Sequence, residues 1–301
     1  MEIIDVGPRD GLQNEKAVVE TADKIAFIEL LIQAGIRRIE AVSFVRADRV
    51  PQMADAEAVM AGVPRDKGVS YIGLVMNDRG LTRAFDTKVD EVNFVLVATD
   101  TFSMRNQGTT VDEGVRQLAP MVLRAKDAGV RVTLTIGASF GCPFEGPVTT
   151  SQVIRLVTFG DGLGVDEIAL ADTIGVGTPA DVKRLVSAAR NETDRPLRLH
   201  LHNTRNTGYA NAYAGWELGV EALDAATGGI GGCPFAPNAT GNIGTEDLYY
   251  LLQRAGAPIS LEYDTLIEAS RFITDRLHTQ APALLSRAGW FPPVPQGEAR
   301  S

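Results

Sequence analysis

The sequence has few of the residues that build disulfide-bonded, nucleic-acid-binding or membrane-spanning proteins. Its 301 residues include only two cysteines, Cys142 and Cys233, which are too few for a disulfide framework and suggest a reducing compartment. No apolar run approaches the about 18 residues that a membrane-spanning helix requires. The formal net charge of −9 argues against a protein that binds nucleic acid through its phosphates. Because the first residues form a strand-like run without a basic, apolar leader, we expect a cytoplasmic protein.

Short apolar runs alternate with helix-like segments along the chain. Each run is rich in β-branched residues or leucine and is followed by a stretch with helical periodicity. The strand-like runs occupy residues 2–6, 38–44, 69–75, 91–98, 131–137, 166–171, 196–202 and 222–227. Eight consecutive strand–helix units predict an α/β fold, a (β/α)8 TIM barrel, over about residues 1–256. A doubly wound open sheet is the alternative, although no G-x-G-x-x-G follows the first strand.

Several helix boundaries can be predicted from single residues. Thr21 is expected to cap the first long helix and Gly35 to end it, while Thr178 and Pro179 are expected to begin a later one. Residues of about 257–290 show further helical periodicity, which predicts additional C-terminal helices. We therefore expect one domain over residues 1–301. Such added helices are compatible with a homodimer.

Two of the three histidines stand close together in the segment R-L-H-L-H-N, as His200 and His202. Side chains at positions i and i+2 of a strand point to the same face. Two imidazoles on one face can supply half of a metal site. The alternatives are a hydrogen-bonded polar pair inside the barrel and a pair on its surface.

Further polar residues fall where the predicted strands end, which is where the active sites of TIM barrels lie. Each has an ordinary structural explanation when it is taken alone. An Asp-Gly pair favours turns, a free cysteine is often a small buried hydrophobe, and asparagine is a common turn residue. Their position at one end of the barrel favours a site instead, and they are Arg9, Asp10, Gln13, Glu40, Asp172, Cys233 and Asn242.

The sequence resembles a known family, the 3-hydroxy-3-methylglutaryl-CoA lyases. These belong to the metal-dependent barrel lyases that include isopropylmalate and homocitrate synthases. The resemblance covers nearly the whole chain, and the glycine-rich loop with Cys233 is its most specific part. It rests on the segments V-G-P-R-D-G-L-Q-N-E, I-E-A-V-S-F-V, A-D-T-I-G-V-G-T-P, H-L-H and G-G-C-P-F-A-x-x-A-T-G-N-x-x-T-E-D-L-x-Y-L-L.

The resemblance implies an acyl-CoA substrate and a divalent cation, Mg²⁺ or Mn²⁺. It places the cation among Asp10, His200, His202 and Asn242. It implies that Arg9 contacts the substrate and its enolate, and that Cys233 is the catalytic thiol on a mobile loop. Glu40 and Asp172 match further acidic positions of the catalytic site, and Gln13 and Glu246 are expected to bind substrate.

The resemblance implies cleavage of 3-hydroxy-3-methylglutaryl-CoA to acetyl-CoA and acetoacetate. One departure concerns the acyl group, because Asn203 follows the histidine pair where the lyases have aspartate, and asparagine is typical of the synthases. A lyase for a related 3-hydroxy-3-alkylglutaryl-CoA or another 3-hydroxyacyl-CoA is one alternative. A synthase that runs the Claisen direction is another, and a non-catalytic acyl-CoA-binding barrel is the alternative without catalysis. Neither nucleic acid nor a membrane is an expected partner.

Overall fold

The structure is a computed structural model that describes residues 1–232 and 241–292. Within these ranges, parallel strands pair in the order β1 to β8, and β8 pairs with β1 to close a barrel. The predicted TIM barrel is therefore confirmed and the open sheet is excluded. The strands are β1 (Glu2–Asp5), β2 (Arg38–Ser43), β3 (Ser70–Val75), β4 (Glu91–Val97), β5 (Arg131–Gly137), β6 (Glu167–Asp172), β7 (Leu197–Leu201) and β8 (Ala222–Ala225).

Helices surround the barrel and continue beyond it. No helix in the described ranges is long and apolar enough to cross a membrane. The additional C-terminal helices are present as predicted, and α10 packs on α1 through the ion pair of Arg276 Nε with Asp23 Oδ1 at 3.2 Å. The described helices are α1 (Thr21–Gln33), α2 (Ala56–Gly62), α3 (Asp78–Asp86), α4 (Asp100–Gln107), α5 (Val111–Asp127), α6 (Thr150–Gly162), α7 (Pro179–Arg190), α8 (Gly208–Glu217), α9 (Thr245–Arg254), α10 (Tyr263–Arg276) and α11 (Leu285–Ala288).

Two of the predicted helix starts have different outcomes. Thr178 caps α7 as predicted, since its side chain accepts a hydrogen bond from the Asp181 amide and Pro179 is the first helical residue. The prediction that Thr21 caps α1 is wrong by one residue, because α1 begins at Thr21 itself. Its hydroxyl instead donates to Asp55 Oδ2 at 2.7 Å, so a tertiary contact takes the group that would have capped the helix.

Charged side chains fill the part of the barrel interior that lies near the start of the strands. TIM barrels usually fill this space with branched aliphatic residues. Here Arg38 Nη2 donates to both carboxylate oxygens of Glu91 at 2.8 Å and to Glu167 Oε1 at 3.0 Å. Arg198 Nη1 lies 3.5 Å from the same Glu167 oxygen. We call these four buried residues the lower ion network.

Removing one member of the lower ion network is expected to destabilise the fold strongly. In Arg38→Met, Glu91 and Glu167 would stay buried and lose the nearer of their two shared cations, leaving the longer contacts of Arg131 at 3.4 Å and 3.3 Å, which costs about 3–5 kcal/mol. The free energy of unfolding in urea measures the effect. Arg46→Met is the control, because Arg46 is exposed and should change stability by no more than about 0.5 kcal/mol. Equal stability of the two variants would contradict the assigned role.

Candidate metal centre and active site

The first βα loop is anchored by a buried carboxylate below the barrel mouth. Asp5 ends β1, and it accepts hydrogen bonds from Gly7 N at 2.8 Å, Thr227 Oγ1 at 2.6 Å and Thr245 Oγ1 at 2.7 Å. Burial raises the pKa of Asp5 to about 6. These bonds join the end of β1 to the end of β8 and the start of α9. They hold a single π-helical turn, Gly7–Gly11, at the mouth of the barrel.

Three predicted metal ligands converge at this mouth. Asp10 comes from the π-helical turn, His200 from β7 and His202 from the residue after Leu201, the last of that strand. One ligand atom of each lies within 4.8 Å of the others. His200 Nε2 is 3.1 Å from His202 Nε2 and 3.9 Å from Asp10 Oδ2. One carboxylate and two imidazoles that point at a common space fit a divalent cation.

The electrostatics of the three side chains favour cation binding. Burial opposes the charge of Asp10, but Arg9 and the two histidines outweigh it and hold the pKa of Asp10 well below its ordinary value. Burial and the neighbouring His200 lower the pKa of His202 to about 4. For His200, burial is outweighed by Asp224 and Asp10, so the pKa of His200 is raised. At neutral pH the site therefore presents an ionised carboxylate beside a neutral imidazole, and both are metal-binding forms.

Asn242 lies at the edge of the same cluster. It forms an isolated β-bridge with His202, and its Nδ2 donates to Asp10 Oδ2 at 3.0 Å and to the Ile230 carbonyl at 3.2 Å. An amide binds a cation through its oxygen, whereas here the nitrogen faces Asp10. Asn242 therefore lies next to two of the other predicted ligands, and its own role as a metal ligand stays a prediction.

Arg9 lies beside the metal cluster and is held by two carboxylates. Its Nη1 donates to Asp10 Oδ1 at 2.6 Å, and its Nη2 forms an ion pair with Glu40. Glu40 in turn accepts from Asn93 Nδ2 at 2.9 Å, and Asn93 Oδ1 accepts from Thr135 Oγ1 at 2.8 Å. Burial disfavours the cation, yet Glu40 and Asp10 outweigh it and raise the pKa of Arg9. The guanidinium is thus fixed in place and permanently charged.

Asp172 and Glu246 hold backbone in the structure. Asp172 accepts from the amides of Val176 and Gly177, each at 2.9 Å, and so shapes the loop between β6 and α7. Burial raises its pKa. Glu246 is fully buried in the first turn of α9 and accepts from Gly228 N at 3.0 Å. Burial raises the pKa of Glu246 to about 7. These contacts are with loops that frame the site, and the structure does not bring Glu246 into the metal cluster.

The glycine-rich loop begins against the first βα loop. Gly231 has φ +101°, and a Cβ there would lie 2.9 Å from Gly11 Cα, so only glycine fits this close approach. Gly231 N donates to Glu15 Oε1 at 3.2 Å, and Asn14 Nδ2 donates to the Gly232 carbonyl at 3.0 Å. The predicted catalytic thiol, Cys233, follows directly and lies outside the described residues.

Gln13 and Asn203 are the two remaining residues that the sequence linked to the substrate. The side-chain oxygen of Gln13 is buried and has no hydrogen-bond partner within residues 1–232 and 241–292, which leaves an acceptor near the mouth for a ligand. The oxygen of Asn203 accepts from Gly208 N at 3.2 Å, at the start of α8. An aspartate oxygen would accept the same bond. Asparagine in place of the lyase aspartate at position 203 therefore preserves a hydrogen bond that holds the start of α8.

The sequence patterns missed the residues that orient this site. Asp224 Oδ2 lies 3.1 Å from His200 Nδ1, and Asn93 holds Glu40 as described above. Asp224 is the single charged residue of the apolar run A-L-D-A-A-T, and this is the signal that could have marked it.

Comparison with known proteins gives one consistent result. The model of the family described as HMGL-like matches residues 1–273. The chain is 40% identical to the (R)-citramalyl-CoA lyase of Chloroflexus aurantiacus, over 98% of this chain and 96% of that protein. It is 38% identical to the cytoplasmic 3-hydroxy-3-methylglutaryl-CoA lyase of Danio rerio, over 96% and 86%.

Solved structures agree with these relatives. The HMG-CoA lyase from Acinetobacter baumannii in complex with coenzyme A and 3-methylmalate is similar with a TM-score of 0.92 and 39% identity, over 98% of each chain. The hydroxymethylglutaryl-CoA lyase from Pseudomonas aeruginosa is similar with a TM-score of 0.92 and 36% identity, over 95% of this chain and 96% of that one.

Proposed function

Because the chain belongs to the HMGL-like family, whose similar members are carbon–carbon lyases of acyl-CoA substrates, we propose that it cleaves 3-hydroxy-3-methylglutaryl-CoA to acetyl-CoA and acetoacetate. The observation that carries the proposal is the cluster of Asp10, His200 and His202 with the Arg9 guanidinium beside it. The acyl-CoA class is further supported by the relative whose complex contains coenzyme A.

The chain offers its own ligands for a divalent cation. Asp10, His200, His202 and Asn242 would hold Mg²⁺ or Mn²⁺, since their oxygen and nitrogen donors suit either ion. Bound there, the cation would act as a Lewis acid that lowers the pKa of the substrate 3-hydroxyl.

Arg9 supplies the fixed positive charge that the reaction needs. In a retro-Claisen cleavage the 3-hydroxyl gives its proton to a base and becomes a carbonyl, the bond between C2 and C3 breaks, and C2 leaves as the enolate of the thioester. The enolate oxygen gains negative charge, and a guanidinium held in advance stabilises this charge without reorganisation. Glu40 fixes the orientation of Arg9 through their ion pair.

Cys233 completes the proposed reaction by protonating the enolate carbon, which yields acetyl-CoA. Its loop begins at glycines with left-handed backbone, among them Gly231 at φ +101°, and Asn14 and Glu15 hold that beginning beside Arg9 and Asp10. The position of the loop start supports delivery of the thiol to the same barrel mouth.

A lyase for a shorter acyl group is the second candidate. It is favoured by the 40% identity to a protein named (R)-citramalyl-CoA lyase. Cleavage of the corresponding bond in a citramalyl thioester also releases acetyl-CoA, but the second product is a 2-oxo acid instead of acetoacetate.

A product assay separates the two candidates. The purified protein with Mg²⁺ is incubated with 3-hydroxy-3-methylglutaryl-CoA, its 3-alkyl homologues and (R)-citramalyl-CoA, and both products are identified. We expect the highest kcat/KM with 3-hydroxy-3-methylglutaryl-CoA. A higher value for (R)-citramalyl-CoA would assign the second function, and no acetyl-CoA from any ester would overturn both.

The Cys233→Ser variant is expected to keep its fold and lose most of its kcat. A hydroxyl is a far weaker acid than a thiol of similar size, so proton delivery should slow by about 10²-fold or more. A thiol reagent should inactivate the wild-type protein, and substrate should protect it. Cys142→Ser is the matched control, because Cys142 is buried and accepts a hydrogen bond from Thr99 Oγ1 at 3.1 Å. Full kcat in Cys233→Ser would transfer the role to another group.

A further inference from the structure

Two inward-facing residues of β7, the residue that follows this strand and one residue of β8 form a continuous line inside the barrel. Arg198, His200 and His202 occupy alternate positions, and the leucines between them are buried on the other face, where Leu199 packs against Gly215 of α8. Asp224 of β8 is the register partner of His200. The pairing of two neighbouring strands therefore sets this carboxylate beside the imidazole.

Asp224 contacts a different partner through each oxygen. Its Oδ2 lies 3.1 Å from His200 Nδ1, and its Oδ1 lies 3.4 Å from Arg198 Nε. Asp224 is 3% exposed and Arg198 is 1% exposed, so neither group is solvated by bulk water. The carboxylate is thus held between the histidine above it and the lower ion network below it.

We propose that Asp224 is a positioning residue that fixes His200 in the tautomer with hydrogen on Nδ1, and that the Arg198 cation compensates the buried charge of Asp224. The proposal deepens the proposed function, on which it rests for the role of His200 as a metal ligand. An ionised carboxylate only accepts hydrogen bonds, so Nδ1 of His200 must donate and Nε2 must carry the lone pair. This Nε2 is the atom that faces Asp10 and His202.

Arg198 is required because Asp224 is buried. A carboxylate in an apolar strand is strongly destabilised unless a cation compensates it. The Arg198 side chain also lies 3.5 Å from Glu167, which Arg38 holds from β2. Arg198 lies at ion-pair distance from both Glu167 and Asp224, and among the described residues its Nε and Nη1 make no hydrogen bond to either. Its cation therefore compensates the buried charge of Asp224, while the contact of Asp224 with Nδ1 orients the ring of His200. Carboxylates that contact metal-bound histidines in this way typically change metal affinity by about 10- to 100-fold.

The histidine content of the chain makes the tautomer directly measurable. The chain has three histidines, and the third, His278, is exposed on the C-terminal side of α10, where it serves as an internal reference. We label histidine with ¹⁵N and record long-range ¹H–¹⁵N spectra at alkaline pH, with and without Mg²⁺. His202→Gln assigns the signals. We expect wild-type His200 to show hydrogen on Nδ1 alone, and a wild-type spectrum with hydrogen on Nε2 would overturn the proposal without any variant.

The variants then test what fixes the tautomer. In Asp224→Ala the His200 signals should shift to a mixture of tautomers, and Mn²⁺ affinity, measured by electron paramagnetic resonance, should fall by about 10- to 100-fold. Asp224→Leu also removes both acceptor oxygens but keeps a similar side-chain size, so it provides the same test if the alanine variant does not fold. Asp224→Asn should keep the tautomer and lose less affinity, because the amide oxygen can still accept from Nδ1. An unchanged tautomer and unchanged affinity in the folded alanine or leucine variant would overturn the proposal.

Glu167→Gln is the matched control. Glu167 contacts Arg198 and Arg38 and has no contact with His200 among the described residues, so this variant should lose stability and keep the wild-type tautomer. A tautomer change as large as that of Asp224→Ala would show a general structural effect and contradict a specific role of Asp224. The tautomer is read without turnover. Failure of the proposed reaction, seen as no acetyl-CoA release, is therefore distinguishable from failure of this inference.

Discussion

Arg9→Met is expected to lower kcat by about 10³-fold or more, equivalent to about 4 kcal/mol, while substrate binding changes far less. The guanidinium is held by Asp10 and Glu40 beside the metal cluster, so its charge is in place before the enolate forms. Arg9→Lys should also be strongly impaired, because an ammonium cannot contact both carboxylates through a planar fork. Steady-state kinetics with saturating Mg²⁺ measure both variants.

The buried Glu40 complicates this variant and needs its own control. Glu40 is 1% exposed, and Arg9→Met removes its cation, so part of any loss could reflect destabilisation. The double variant Arg9→Met/Glu40→Gln removes the unpaired charge, and Asn93 still contacts the amide that replaces the carboxylate. We expect it to recover stability and not kcat. A weaker affinity with unchanged kcat in Arg9→Met would reduce Arg9 to a substrate-binding residue.

The barrel and the shared face of the two histidines were predictable because both follow from local periodicity. Each observed strand begins and ends within two residues of its predicted bounds, since apolar runs punctuated by helix signals report strand positions directly. The two-residue period of a strand also placed His200 and His202 on one face. The rule that sites lie where barrel strands end placed Asp10 at the same mouth, and the resemblance to the lyases then implied that it shares a cation with them.

Contacts between residues that are far apart in the chain could not be predicted from the sequence. Asp5 holds Thr245 from 240 positions away, and nothing local to either residue indicates the other. Glu91 and Glu167 begin strands, where a charged residue ordinarily faces solvent, yet both point inward to Arg38. Periodicity tells which residues share a face, but not which face closes inward. Glu246 accepts a hydrogen bond from the Gly228 backbone, and the role in substrate binding that the resemblance implies for it stays a prediction.

Asp10→Ala is expected to abolish measurable turnover, with a loss of several kcal/mol of transition-state stabilisation or about 10³-fold or more in kcat. Asp10 supplies the carboxylate of the metal cluster and also one of the two anions that hold Arg9, so one substitution weakens both parts of the site. Chelation of the wild-type protein should give the same loss, and Mg²⁺ or Mn²⁺ should restore activity.

Neither Mg²⁺ nor Mn²⁺ should restore the activity of Asp10→Ala, because this variant lacks a metal ligand and added metal cannot replace it. Asp48→Ala is the control, since Asp48 is 60% exposed and pairs only with Arg46 among the described residues, and its response to chelation and Mg²⁺ should match the wild type. If wild-type protein turned over fully in rigorously metal-free buffer, Asp10 would act only by holding Arg9. Arg9→Met and Asp10→Ala would then have the same kinetic effect, whereas a metal ligand should in addition lose Mn²⁺ binding.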